Sequence, residues 1–487
     1  MKNSIKKNNG ITLIVLIITI VIMLILAGVS VSLITVDQNP KQQLENQANA
    51  INEFFNTANV IQGNIENELG SDYNKISNSQ VENDPNLPNT ITTDDWNGAV
   101  NKPRLLDNMT AIYFENGTEK SLTPASSQEE WNKWYDYSNK IWANAKTSDG
   151  SYWVWIPRYA YKITSNLYTR TSGNISIVFV DNKNQNAGTT YSVNYPTVIG
   201  NSMTDYVVHP AFSTNIEKGG NNKVISGFWI AKYEMSREDS ANGGETWSYV
   251  AGTDTLTKNA GNTSSIRAVS KPNVSSWRNI TIGNAYSNSY YYNRAADSHM
   301  IKNSEWGAVA YLAQSAYGRD GVEITKNDSS TYITGTGGVA ANTTGNQSGV
   351  YDLNGGAFEF ISAYILNSEA QALRNVYGSS FATATKSTEY LTIYPHNAAS
   401  DTAIDNWNAY NNNYRGKRFG DAIFETSSAG SGNNAWNSDS CVYPYSELSF
   451  FVRGGEYSYT DNASGIFMFG RAKGSGDVGY AFRTILF

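Results

Sequence analysis

Cysteine is almost absent from this chain: Cys441 is the only one among 487 residues, so no disulfide can form within it. A fold without such staples is held by packing over a large area, which excludes the small stapled domains. Charge is scarce too. Asp, Glu, Lys and Arg make up 16% of the chain and the formal net charge is -7. Basic residues cluster only before residue 8 and at Arg415-Gly416-Lys417-Arg418. The basic face of a nucleic-acid binder is missing, so nucleic acid is not an expected partner. Histidine is rarer still. His209, His299 and His396 stand far apart with no i, i+3 or i+4 pairing, so each reads as a loop or packing residue and not as a metal ligand. No G-x-S-x-G elbow is present.

One long apolar run is there. From Ile11 to Ile34 no charge occurs in 24 residues. As a helix rising about 1.5 Å per residue it reaches roughly 36 Å, enough for a hydrocarbon core of about 30 Å. Lys2, Lys6 and Lys7 precede it, whereas Asp37, Lys41 and Glu45 follow with no cationic excess. Cytoplasmic flanks hold the excess Lys and Arg, so a membrane anchor with the bulk of the chain outside the cell is expected. The run is too long for the core of an ordinary cleaved signal peptide. Lys6-Lys7-Asn8-Asn9-Gly10 followed by Ile11-Thr12-Leu13 resembles the leader of type IV prepilins and pseudopilins. The resemblance implies cleavage between Gly10 and Ile11, with residues 11–34 kept as a transmembrane or filament-core helix and other pilin-like subunits as partners. The chain departs from that family at Val15, where the family carries the Glu that registers subunits in a fibre.

Past Pro40, Leu44, Ala48, Ile51, Phe55, Ala58, Ile61, Ile65 and Leu69 step by threes and fours, so residues 35–69 read as an amphipathic stem helix. Residues 70–101 are polar, with Pro85 and Pro88 close together and no period, and read as a linker. From 102 to 487 the texture changes. With 40% hydrophobic and 13% aromatic residues, the chain has ample material for a core. Runs such as YWVWIPRYAYKI (152–163), SIVFV (176–180), KVISGFWIAKYEMS (223–236) and SFFVRGGEYSY (449–459) carry strand signals between Gly/Asn/Ser/Asp loops. The clearest helix is 303–318, with Asn303 or Ser304 as cap, Glu305 in the first turn and Gly318 as stop.

Five blocks follow in order: GFWIAKYEMS (227–236), the helix with NSEWGAVAYLA, GVYDLNGGAFEF (349–360), FVRGGEYS (451–458) and GRAKGSGDVGYAFR (470–483). Together they resemble the formylglycine-generating enzyme (sulfatase-modifying factor) superfamily, over residues 150–487. The resemblance extends to surface proteins with a prepilin-type leader and to ligand-binding proteins diversified by retroelements. It implies a loop-rich C-type-lectin-like domain over 102–487. The expected fold class is α+β, with the long N-terminal hydrophobic helix joined to that domain.

The same residues are assigned first on physical grounds. Gly454 and Gly455 allow close backbone approach or positive φ. Arg453, Arg471 and Arg483 lie in apolar surroundings and are expected to fasten the fold through carboxylates or carbonyls, with Asp352 and Glu359 as partners. Trp155, Trp229 and Trp306 are assigned to the core. The superfamily's enzyme holds copper with two cysteines shortly after its RGG block; the matching stretch here, EYSYTDNASGIFMFGR, has none. No catalytic residue is therefore nominated. The resemblance also implies a calcium site, for which Asp352, Asn354 and Glu359 are the candidates, though the family's Asn in that block is missing.

Binding is the preferred reading. NAYSNSYYYN (284–293) and DNWNAYNNNY (405–414) combine rings with amides and hydroxyls, the chemistry of paratopes and of sugar recognition. Candidate ligand-binding residues are Tyr410 and Tyr414 and, from the segment that varies in retroelement-diversified relatives, Tyr457, Tyr459, Asn462, Phe467, Lys473 and Asp477. The expected function is a non-enzymatic, membrane-anchored surface or pilus-associated protein displaying a lectin-like domain to an extracellular protein or glycan. Alternatives are an extracellular enzyme or its degenerate descendant, and a structural minor pilin.

Overall fold

Trp153, Val154, Trp155 and Ile156 succeed one another with no polar residue, and a strand apolar on both faces has to be covered on both. In the computed structural model this strand, Tyr152–Pro157, is buried along almost its whole length. The structure describes residue 96 and residues 99–487, apart from 216–218, 222–223, 239–266, 367–372, 374, 379–387, 398–399, 415–417 and 460–463, and gives backbone alone for 409–414. The chain divides into two units, Met1–Thr90 and Ile91–Phe487, and the description concerns the second. The leader, the apolar run 11–34, the stem 35–69 and residues 70–95 of the linker lie outside the described residues.

Tyr152–Pro157 sits in the middle of a seven-stranded sheet ordered His299–Met300, Thr484–Leu486, Gly227–Ala231, Tyr152–Pro157, Asn144–Thr147, Met109–Glu115, Thr118–Ser121. Trp229 stands opposite Trp155 across the antiparallel pair, with ring centroids 5.3 Å apart and tilted by 61°. Edge contacts of this kind add about 0.5–1.5 kcal/mol beyond the area buried. After Pro157 the chain leaves this sheet: Tyr159–Ile163 joins Val207–Val208 and Ile175–Phe179 in a sheet of three.

A second seven-stranded sheet runs Thr392–Pro395, Phe358–Leu366, Phe450–Gly454, Gly465–Ala472, Cys441–Val442, Ser431–Gly432, with Tyr480–Phe482 parallel to the start of Phe358–Leu366. Helix α1 (Ile282–Tyr290) begins where the Thr281 side chain accepts the Asn284 N–H. Helix α2 (Asn303–Gln314) is buried at all twelve positions, as expected of a helix in the heart of a large core. Its Gly307 lets the carbonyl of Gly420 come so near that a Cβ there would lie 2.0 Å from the oxygen. Helix α3 spans Ala403–Tyr414.

Several expectations are corrected. The fold is mostly β and not α+β, because the short aromatic and β-branched runs pair into extensive sheets while the longest described helices have 12 residues. Among the described residues no helix is long and apolar enough to cross a membrane. Helix α2 starts after Lys302, whose N–H is taken by the Glu305 carboxylate at 2.8 Å, so Asn303 and Ser304 are inside it and not caps. It stops at Gln314, before Gly318. The two amide- and tyrosine-rich segments, read as binding surface, are largely helical: most of 284–293 belongs to α1, where Tyr286 is fully buried, and most of 405–414 to α3. Packing overrides the weak helix propensity of Asn, Ser and Tyr there.

Candidate functional site

The second sheet organises the face where the loops after Gly454 and before Tyr480 emerge. Glu359 stands opposite Arg453 in register, yet its carboxylate receives Arg483 instead, through Nη2 at 2.6 Å and Nε at 2.8 Å. The same guanidinium donates to the carbonyls of Ala231 at 2.8 Å and Tyr351 at 3.0 Å, so it ties the first sheet to the second. Arg453 donates to the carbonyls of Asp421 and Ala422 and lies 5.5 Å from the Trp306 ring. Trp155, Trp229, Trp306, Glu359, Arg453 and Arg483 are all buried. Arg471 is half-buried, 4.3 Å from the ring of Tyr445.

At Gly454 and Gly455 φ is +84° at both, a conformation that lets the strand turn sharply outward. Tyr457 and Tyr459 come out on that turn. Tyr457 is half-buried with its ring edge-on to Tyr332 at 4.8 Å; Tyr459 is 46% exposed and meets Phe358 edge-on at 5.4 Å. Phe358 in turn touches Tyr480 at 5.7 Å. Beneath them Arg278 lies 3.9 Å from the Tyr332 ring and donates to the Val478 carbonyl at 2.9 Å, while the Tyr332 hydroxyl donates to Glu456. Asp477, exposed, turns the chain toward Tyr480 by accepting the Gly479 N–H at 3.0 Å. The result is a small ridge of rings and flanking polar groups on a rigid base.

Not every nominated residue reaches this ridge. Phe467 is fully buried, 5.1 Å from Trp436, so it packs the core and is withdrawn as a ligand contact. Lys473 is exposed but leaves the other end of its strand, since Ala472 pairs with Phe450 while Gly465 pairs with Gly454. Asn462 lies outside the described residues, as do the side chains of Tyr410 and Tyr414 in α3.

The calcium candidates are mostly engaged with protein groups, although the buried Asn354 Oδ1 has no described partner. Glu359 is committed to Arg483, Asp352 accepts Asn327 Nδ2 and the Gly335 N–H at 2.9 Å each, and Asn354 donates Nδ2 to Ile324 at 2.6 Å. Among the described residues no group of three or more His, Cys, Asp or Glu could hold a metal ion.

Sequence reasoning missed the buried acids. Glu234 packs under Gly356 and accepts the Ala357 N–H at 2.9 Å; burial, then the neighbouring Asp352 and Glu359, push its carboxyl well above the usual range. Burial likewise pushes Asp439 well up. Glu425, 2% exposed, accepts the hydroxyls of Tyr161 at 2.7 Å and Tyr311 at 2.5 Å and the Gly420 N–H at 2.6 Å; burial raises it to about 7. Only the tertiary fold brings Tyr161, Tyr311 and Glu425 together, so no local pattern announced them.

Glu425 carries a pH prediction. Its folded value lies above the usual value of about 4.3 for Glu, so its contribution to stability is complete below about pH 4.3 and is lost as pH rises through about 7. The loss is about 4 kcal/mol, at roughly 1.4 kcal/mol for each pH unit between the two values. Glu425→Gln, neutral throughout, removes this slope. Urea unfolding at pH 4.5 and pH 8 tests it, and equal slopes in the two proteins would rule the assignment out.

No family model matches the chain, and no curated protein matches it. Among solved structures, that of PvdO from Pseudomonas aeruginosa is similar at 10% identity and a TM-score of 0.26, covering 71% of this chain and 98% of that one. A likeness so slight transfers neither fold nor activity.

Proposed function

We propose that the chain is a surface-displayed binding protein, held at a membrane through residues 11–34 after loss of residues 1–10, which offers the Tyr457–Tyr459 ridge to an extracellular protein or glycan. One observation carries this reading. Among the described residues, Glu234, Asp439 and Glu425, whose carboxyls burial raises, are sealed in the interior at 2% exposure or less, whereas the ridge presents the ring of Tyr459 at 46% exposure with Tyr457 half-buried beside it. Catalysis needs displaced titrating groups that meet substrate; binding needs rigid aromatic anchors on loops held by a scaffold. The net charge of -7 and the absence of a basic face favour a partner other than nucleic acid. The order of the five sequence blocks and the prepilin-like leader support the same reading.

The test has two parts. Protease added to intact cells is expected to remove the 91–487 unit while a cytoplasmic marker survives, and the intact mass of the mature protein is expected to lack residues 1–10. Binding of the full chain to surfaces coated with extracellular glycoproteins is expected to fall at least about tenfold in Tyr457→Ala/Tyr459→Ala, with the melting temperature held. Protection of the unit in intact cells, or coat binding indifferent to both tyrosines, would end the proposal.

A further inference from the structure

Away from the tyrosine ridge, three segments distant in sequence enclose a cleft of about 280 Å³. The strand Met109–Glu115 contributes Tyr113 and Phe114, the segment 134–144 contributes Trp134 and Asn139, and the turn at 346–348 contributes Gln347. None of its eleven lining residues is charged. The volume lies just below that of drug-sized ligand sites, which run from about 300 Å³ upward.

The walls are fixed. Trp134 donates Nε1 to the carbonyl of Asn144 at 2.7 Å. Trp142 donates Nε1 to Tyr317 at 2.8 Å and stacks on Tyr137 at 6.1 Å. The Asn144 amide donates to Ser348 at 2.8 Å, and that of Asn346 to Lys140 at 2.9 Å. Behind the cleft the amino group of Lys232, 1% exposed, donates to Asn144 Oδ1 and to the carbonyl of Gln347 at 2.5 Å each and lies 4.8 Å from the Phe114 ring. Burial pulls it well below the ordinary lysine range, and its hydrogen bond holds the Gln347 backbone in place.

Against these fixed groups, two amides keep unused capacity. The half-buried Gln347 side chain has no hydrogen-bond partner among the described residues. Exposed Asn139 gives an N–H to Asp136 at 2.7 Å, and its Oδ1 accepts nothing described. The cleft therefore combines half-exposed ring surface at Phe114 with a free donor–acceptor pair at Gln347 and a free acceptor at Asn139.

We infer that this cleft binds a neutral pyranose ring, stacked by its C–H face on Phe114 and hydrogen-bonded through its hydroxyls to Gln347 and Asn139. Each alternative ligand class leaves a group unmatched. An ionic ligand would be partly desolvated with no charged side chain in the lining, and the Lys232 amine behind it is already committed to Asn144 and the Gln347 carbonyl. A purely apolar one would strand the Gln347 and Asn139 amides. A sugar offers one apolar face and a rim of hydroxyls, which is what the lining matches.

The site is separate from the tyrosine ridge and is tested separately. The full chain, in a detergent without a sugar headgroup, is titrated with methyl α-glucoside, methyl α-mannoside, methyl β-galactoside and N-acetylglucosamine, and with glucuronate and adenosine as controls. Binding is read by tryptophan fluorescence and by saturation-transfer NMR. At least one neutral sugar is expected to saturate, with glucuronate at least about tenfold weaker. Gln347→Ala and Phe114→Ala are each expected to raise the dissociation constant about tenfold or more, equivalent to about 1.4 kcal/mol, while Tyr459→Ala leaves it unchanged. Gln347→Ala alters a partly exposed amide with no described partner and decides the matter if Phe114→Ala does not fold. No binding by any of the four sugars, binding indifferent to Gln347→Ala, or preference for adenosine or glucuronate would each overturn the inference.

Discussion

Arg483→Met is expected to lower the unfolding free energy of the full chain by about 3–5 kcal/mol at pH 7, the range found when one partner of a buried ion pair is removed. The guanidinium is fully buried, and its loss leaves the Glu359 carboxylate in the interior with no counter-ion. It also withdraws the positive charge that offsets Asp352 and Glu234, both within its field. Burial already raises Glu359 above its ordinary value while Arg483 pulls it back, so without Arg483 the carboxyl rises further. A carboxyl raised in the fold destabilises as pH climbs past the unfolded value of about 4.3. The deficit is therefore larger at pH 8 than at pH 5. Arg483→Met combined with Glu359→Leu is expected to recover at least half of the loss, because the stranded charge is gone. Urea unfolding followed by tryptophan fluorescence measures all three proteins. A single variant within about 1 kcal/mol of wild type would refute the account of Arg483 as the tie between sheets.

Trp306→Ala is expected to cost about 3–5 kcal/mol. The indole fills the space between α2 and the second sheet, donates Nε1 to the carbonyl of Ile466 at 2.7 Å, and gives Arg453 its aromatic face. Trp306→Phe separates these contributions. It keeps much of the ring but leaves Ile466 with only a long 3.5 Å contact from Arg453, for an expected loss of about 1–3 kcal/mol. Equal losses in Phe and Ala would show that ring volume contributes little at this position.

Both variants fall on residues assigned to the framework from sequence, and the reason they were legible is simple. A few arginines and tryptophans set among Val, Ile and Phe are expected in the core, where a buried guanidinium has to find partners and a large ring has to be packed. Strands at Tyr152–Pro157 and Gly227–Ala231 were legible for the same reason: β-branched and aromatic runs bounded by turn residues pair into sheets. The misreadings are physical as well. Asn, Ser and Tyr in α1 and α3 have the composition of loops, and their helical structure depends on neighbours far away in sequence. Phe467 was mistaken for a surface residue because its strand, Gly465–Ala472, is buried on both faces, so alternation says nothing there. The sugar cleft was invisible because Phe114, Asn139 and Gln347 are joined only by the folded chain, and because Lys232 looks like an ordinary surface lysine until its surroundings are known.

The strand Thr484–Leu486 lies inside the first sheet, where Ile485 pairs with Ile230 on one side and His299 on the other. A ribosome working at about 5–20 residues per second makes Ile485 roughly 13–50 s after Ile230. Until then two inner edges of that sheet stay open, so the sheet closes only after a strand far along the chain has been made.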